Sequence, residues 1–262
     1  KFSNPMSVSI VLLVISVAIH FAGPHLFPEW NGMSRAILVW NGEYWRLVTA
    51  IFLHGGFLHL ALNMYGLYYL GPALERQIGT VRFLVIYFVA GIYGFLISLV
   101  FLDPMTPTLG ASGSIFGLIG ALIGSEMRFG RHPLAFLEHD YGRNLMGFIL
   151  INLVIGFSMP GINNAAHLGG LVAGLLLTQV GLLRLHRKPD RNGWLLRGAA
   201  AALAVELAIY SLFPVFNGYW QLNRAMAAQN QSQPEKFDFA LKQALRIDRE
   251  LVQKSVEWPK DR

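Results

Sequence analysis

The sequence predicts an all-α fold, a polytopic membrane helical bundle, on three observations. Hydrophobic residues make up 54% of the 262-residue chain and charged residues 14%, whereas a soluble domain carries about 25% charge. The charges are gathered into short patches between apolar runs long enough to cross a bilayer. The basic residues also crowd into every second connection, as the positive-inside bias requires. The chain has no cysteine, which excludes disulfides, thiolate nucleophiles and Cys-ligated metals. It also lacks the His-Glu-x-x-His pattern of a zinc hydrolase, so no metal or other cofactor is expected.

Taken in order, the predicted spans are 6–24, 52–74, 82–102, 112–127, 145–160, 165–183 and 194–216. The first could pass for a signal peptide, but six further spans follow and no A-x-A-like cleavage site closes it. Arg76 and Arg82 lie between the second and third spans, and Arg128, Arg131 and Arg143 between the fourth and fifth. Arg184, Arg187, Lys188, Arg191 and Arg197 lie at the link to the seventh. The alternate connections hold only Arg35 and Arg46. This bias puts the N-terminus in the cytoplasm and loops 1, 3 and 5 outside.

The tail from Asn217 is then extracytoplasmic. Phe237, Leu241, Leu245, Leu251 and Val252 predict one amphipathic helix after Pro234, either solvated or docked on an unknown partner. The net charge of +6 comes largely from the cytoplasmic loops and points to anionic lipid headgroups, not nucleic acid.

The fourth span is short. From Ser112 to Ser125 it measures about 21 Å at 1.5 Å per residue, against a hydrocarbon core of roughly 30 Å. Glu126 and Arg128 anchor its inner end, so Ser112 is predicted to lie below the outer surface. Non-helical chain leading to that depth is tolerated only where it is buried in protein or lines a wet cavity.

Gly113, Gly117, Gly120 and Gly124 form a stripe along this span, and small residues let helix backbones approach closely in lipid. In the sixth span His167, Gly170 and Gly174 share one face. Packing that face on the glycine stripe brings His167 to Ser112. In the second span His59 and Asn63, at i and i+4, lie on one face of the outer half. They serve either as interhelical hydrogen bonds or as donors to a developing oxyanion. His54, nearer the boundary, is expected to face water. Ser114 points about 200° away from Ser112 around the helix, so the two cannot both meet His167. Glu206, in mid-span, is either a functional carboxylate or a protonated group bonded to a neighbouring helix.

These residues together resemble the rhomboid family of intramembrane serine proteases. Gly110-Ala-Ser-Gly113 matches its G-x-S-G, Ala166-His-x-x-Gly170-x-x-x-Gly174 its histidine helix, and His59-x-x-x-Asn63 its H-x-x-x-N. Trp45-Arg46 resembles the W-R of its first loop, and Gly71-x-x-x-Glu75-x-x-x-Gly79 the pattern closing its second span. The resemblance covers residues 1 to about 183. It implies a six-helix catalytic core over 1–183; the basic cytoplasmic linker at 184–193, the seventh helix at 194–216, which would make this a six-plus-one variant, and the extracytoplasmic tail at 217–262 are read from hydropathy and charge, and the tail falls outside the resemblance.

It also implies a catalytic dyad, with Ser112 as nucleophile and His167 as general base and acid. His59, Asn63 and the Ser112 N–H would hold the oxyanion, and Phe116 would steady the imidazole in place of a carboxylate. Gly110, Gly113, Gly170 and Gly174 would permit the close packing. Arg46 and Glu75 are expected to stabilise loop 1 and the inner end of the second span. The implied partners are transmembrane protein substrates within the bilayer. The competing readings are a non-catalytic relative that binds transmembrane clients and, more remotely, a transporter, although no repeated half-pattern is present.

Overall fold

A computed structural model describes residues 7–26, 32–40, 42–102, 106–128, 132–138, 163–179, 193–216 and 234–247, with isolated positions between them. Among the described residues the secondary structure is helical, apart from one isolated antiparallel bridge. The helices are α1 (Val8–Leu26), α2 (Ala36–Trp40), α3 (Arg46–Thr49), α4 (Phe57–Ile78), α5 (Thr80–Phe101), α6 (Ser112–Arg128), α7 (Asn164–Gln179), α8 (Gly193–Phe216) and α9 (Pro234–Ile247). The span predicted at 145–160 lies outside the described residues, apart from isolated positions.

Among the described residues only α5 is by itself long and apolar enough to cross a membrane, and the bent pair Arg46–Phe52 and Phe57–Ile78 qualifies if taken as one span. The apolar stretches Val8–Gly23, Ser112–Met127 and Ala201–Phe213 are shorter. Outward faces nevertheless carry bare apolar side chains, with Phe101 72% and Ile209 66% exposed, a surface suited to an apolar solvent.

The second span begins later than its hydropathy indicated. Residues Ala50–Phe52 form a 3-10 turn, Leu53 is extended, and the chain bends by 92° before α4 begins at Phe57. Gly55 and Gly56 occupy the bend, where glycine disfavours continuation of a helix. His54 therefore belongs to the bend, and it is buried, 8% exposed, not facing water as expected. Its Nδ1 bonds the Phe52 carbonyl at 3.2 Å, and its ring meets that of His59 edge to face at 5.2 Å.

Helices α5, α6 and α7 make the tightest part of the bundle, and their glycines explain how. A Cβ built on Gly170 would overlap the Gly113 carbonyl oxygen, and one on Gly174 the Gly117 carbonyl oxygen. Beyond them, Gly120 faces the Leu171 carbonyl and Gly124 faces Thr178. From the other side, Gly94 of α5 lies against the Ala166 carbonyl, where an added Cβ would be 2.5 Å away. Helix α7 thus sits in a trough made of two backbones, and any side chain at these points would force the helices apart.

Two polar clusters hold the ends. At one end the Glu75 carboxylate accepts from the Val8 and Ser9 amides, each at 3.1 Å, from the Thr80 hydroxyl at 2.8 Å and from the Ser7 hydroxyl. It thereby caps the start of α1 and ties it to the junction of α4 and α5. At the other end Arg46 donates to Glu43 at 2.8 Å and to the Met33 carbonyl at 3.0 Å, with its guanidinium over the Trp45 ring. The Thr49 hydroxyl donates to the Gly32 carbonyl at 2.8 Å. The first connection is therefore a folded unit, built by residues 46–49 gripping the carbonyls of 32–33.

The helix predicted after Pro234 is present as α9 as far as Ile247, and Leu251, also expected on its apolar face, lies outside the described residues. The buried positions of α9 are Ala240, Gln243 and Ala244, and Val252 packs on Ala244 with Leu241. Leu245, expected on the apolar face, is 39% exposed. Glu206 lies on an exposed face of α8, and no described residue hydrogen-bonds to it.

Candidate active site

The chain enters the site along residues 106–110. Thr108 pairs with Ser34 through both backbone bonds, at 2.7 and 3.0 Å, and the Gly110 amide donates to the Ala50 carbonyl at 2.9 Å. Gly110 then takes a φ of +120°, which side chains other than glycine's rarely accept. A Cβ there would also lie 2.7 Å from His59 Nε2. This turn starts α6 at Ser112, whose N–H stands in the first helical turn, where amides have no intrahelical acceptor.

Helix α7 brings the second group. Asn163 caps it, its Oδ1 accepting from the Ala166 amide at 2.9 Å, while its Nδ2 donates to the Ser98 hydroxyl of α5 at 2.6 Å. One turn in, His167 Nε2 lies 2.8 Å from Ser112 Oγ, across 55 residues of chain. Phe116 stacks on the imidazole with ring centroids 4.6 Å apart and planes inclined by 10°. The stack fixes the ring plane on the same helix that carries Ser112. Ser112 is 7% exposed, and both residues line one cavity of about 510 Å³.

His59 reaches the same cavity. The Gly55 amide donates to its Nδ1 at 3.3 Å, so Nδ1 carries no proton and Nε2 does. That Nε2–H is a neutral donor beside Gly110. Asn63 behaves differently. It is 1% exposed, its Nδ2 donates to the His59 carbonyl at 2.8 Å, and its Oδ1 has no partner among the described residues. It does not line the cavity. The spacing of four that put His59 and Asn63 on one face also let Asn63 bond within its own helix.

Ser114 is buried facing Gly91 of α5, and its hydroxyl has no partner among the described residues. The geometry therefore separates the two serines. Gly113, Gly170 and Gly174 stand at the backbone contacts between α6 and α7. Asn163 escaped the sequence reading, although an Asn directly before a helix start is an N-cap signal. Asn152, from the incompletely described region, also lines the cavity. Among the described residues no group of three His, Cys, Asp or Glu could hold a metal. The arrangement offers a hydroxyl, a base and a neutral donor around one buried space, the components of nucleophilic acyl transfer.

Comparison with known proteins gives a concordant result. Residues 41–184 match the family model described as Rhomboid domain. The chain is 39% identical over 183 residues to the rhomboid protease GluP of Bacillus subtilis, covering 70% of this chain and 34% of that protein. It is 40% identical over 154 residues to RHOMBOID-like protein 5 of Arabidopsis thaliana, covering 58% and 49%. The putative rhomboid protease YdcA of Bacillus subtilis is 40% identical over 139 residues, covering 53% of this chain and 67% of that protein. The chain thus spans about a third and about half of the first two relatives.

Proposed function

The chain belongs to the rhomboid family, and from that membership and the Ser112–His167 contact we propose that it is an intramembrane serine endopeptidase. Its substrates are transmembrane segments of other membrane proteins, cut near the extracytoplasmic face. Ser112 Oγ attacks the scissile carbonyl carbon as its proton passes to His167 Nε2. The C–N bond breaks, and His167 returns the proton to the leaving amine. Water from the cavity, deprotonated by the same imidazole, hydrolyses the acyl-enzyme and regenerates Ser112.

The oxyanion takes hydrogen bonds from the Ser112 N–H and the His59 Nε2–H, each worth about 10²- to 10³-fold in rate. Asn63 joins them once its amide leaves the His59 carbonyl. Phe116 holds the imidazole plane, so no carboxylate is needed to orient it. The outward opening of the site and the cytoplasmic N-terminus are supported by the basic residues concentrated in alternate connections. The core at 1–183, the linker, the seventh helix and the extracytoplasmic tail follow that same topology.

The observation that carries this reading is the 2.8 Å contact of Ser112 Oγ with His167 Nε2 inside a cavity. Purified protein in detergent is tested with a fluorophosphonate probe and a model transmembrane substrate. Wild type and Ser114→Ala are expected to label and cleave, and Ser112→Ala to do neither. Equal labelling of wild type and Ser112→Ala sinks the reading. Substrate binding without labelling or cleavage in wild type makes the chain a client-binding relative instead.

A further inference from the structure

We propose that Trp40 is a positioning residue for Ser112, through which α8 and the chain beyond it hold the active-site loop in place, an inference that rests on Ser112 being the nucleophile. Helix α8 lies beyond residues 41–184 and Trp40 just before them, so neither belongs to the part of the chain that the family model covers. Yet they are joined by a buried bond. Trp40 is 3% exposed, and its indole N–H donates to the Ser211 carbonyl of α8 at 3.0 Å. The chain after α8 returns to the same ring, with the Arg224 guanidinium 5.1 Å from its centroid. A buried indole with its N–H satisfied combines a large apolar contact with a directional one.

From Trp40 the connection to Ser112 is continuous. Trp40 ends α2, whose Leu38 and Val39 amides both donate to the Arg35 carbonyl. The neighbouring Ser34 forms the two-bond bridge with Thr108, and the Thr108 hydroxyl adds a third contact to the Ser34 carbonyl at 3.2 Å. Two residues later the Gly110 amide is held by Ala50, and Ser112 follows. Residues 106–110 have no helix of their own, so their position is set by these bonds to the first connection. Trp40 clamps that connection to α8. Removing the clamp frees α2, loosens the Ser34–Thr108 bridge and lets Ser112 drift from His167. Misplacement by about 1 Å costs up to about 10²-fold in rate.

The test uses the full chain in lipid nanodiscs and measures fluorophosphonate labelling of Ser112 together with kcat and KM on a transmembrane substrate. Trp40→Ala is expected to lower labelling and kcat by roughly tenfold while KM changes by less than about twofold. Trp40→Phe keeps a buried ring and loses the donated bond, and it is expected to fall in between. Because the chain has no cysteine, Ser34→Cys with Thr108→Cys provides one defined crosslink. A hydrogen-bonded antiparallel pair has Cα atoms about 5.5 Å apart, within the disulfide range of about 4.4–6.8 Å.

Oxidation is expected to bring both Trp40 variants up to the rate of the oxidised double-cysteine protein with Trp40 intact, and reductant to reverse this. Wild-type labelling rates in both Trp40 variants overturn the proposal. A disulfide that forms and restores nothing overturns it too, since Trp40 then acts only on overall stability. If Trp40→Ala does not fold, Trp40→Phe and its rescue decide. Failure of the wild type to label strikes the nucleophile assignment instead.

Discussion

The two sides of the cavity that Ser112 and His167 line are built by opposite means. Where α5, α6 and α7 meet, helices touch through bare backbone, with Gly170 and Gly174 against the carbonyls of Gly113 and Gly117. On the other side, residues 106–110 are tied to the first connection by the Ser34–Thr108 bridge and the Gly110–Ala50 bond, and Arg46 and Thr49 brace that connection from within. Backbone contact tolerates no added atom and leaves no slack, which suits the interface that sets the distance between Ser112 Oγ and His167 Nε2. A hydrogen-bonded loop shares its hold among several directional bonds, so that losing one bond within it is tolerated as long as the Trp40 clamp on α8 keeps the whole in place. In lipid, where apolar burial drives helix association only weakly, the first device supplies contact and the second supplies direction.

The largest test of this contrast is Gly174→Ala. The new methyl would overlap the Gly117 carbonyl, and overpacking of a close contact costs about 1–3 kcal/mol. A lowered unfolding midpoint in detergent and loss of probe labelling are expected; unchanged values for both would show that α6 and α7 can separate freely.

Asn163→Ala addresses the point where the two devices meet. It removes the cap of α7 and the bond to Ser98, with an expected loss of about 1 kcal/mol in stability and slower labelling, since His167 lies one turn from the cap. Thermal unfolding and labelling rate would be read together, and a fall in neither contradicts the assignment.

Thr49→Val should have the smallest effect. It loses the bond to the Gly32 carbonyl, worth about 0.5–1.5 kcal/mol, while Arg46 and the Ser34–Thr108 bridge still hold the loop. Labelling within about twofold of wild type is expected. A loss as large as that of Gly174→Ala would mean that the hold is not shared.

The difference also explains which parts were legible in advance. Glycine periodicity repeats along a helix, so the stripe on α6 and the face of α7 could be read from spacing and matched to each other. The pairing of Ser112 with His167 follows once those faces are docked. The onset of α4 was misread because hydropathy runs unbroken through Phe52–His54 while the Gly-Gly bend turns the backbone. His54 was misplaced for the same reason. Asn63 illustrates another limit. Its helical face was correctly assigned, but a side chain at i+4 can bond the carbonyl behind it, and periodicity does not distinguish that from pointing into a cavity.

By itself the sequence determined the all-α class, the alternation of apolar runs and charged connections, the family, and the identity of the groups available for chemistry. All of these depend on residue type and on spacing within one segment. The tertiary structure decided that Ser112 and His167 meet at 2.8 Å with Phe116 stacked behind, and that Ser114 faces α5. It also decided that Trp40 is bonded to α8. Each of these joins residues from different segments, and a hydrogen bond or a ring stack exists only when packing brings two such groups within a few ångströms in the right orientation. No property of either partner alone records that.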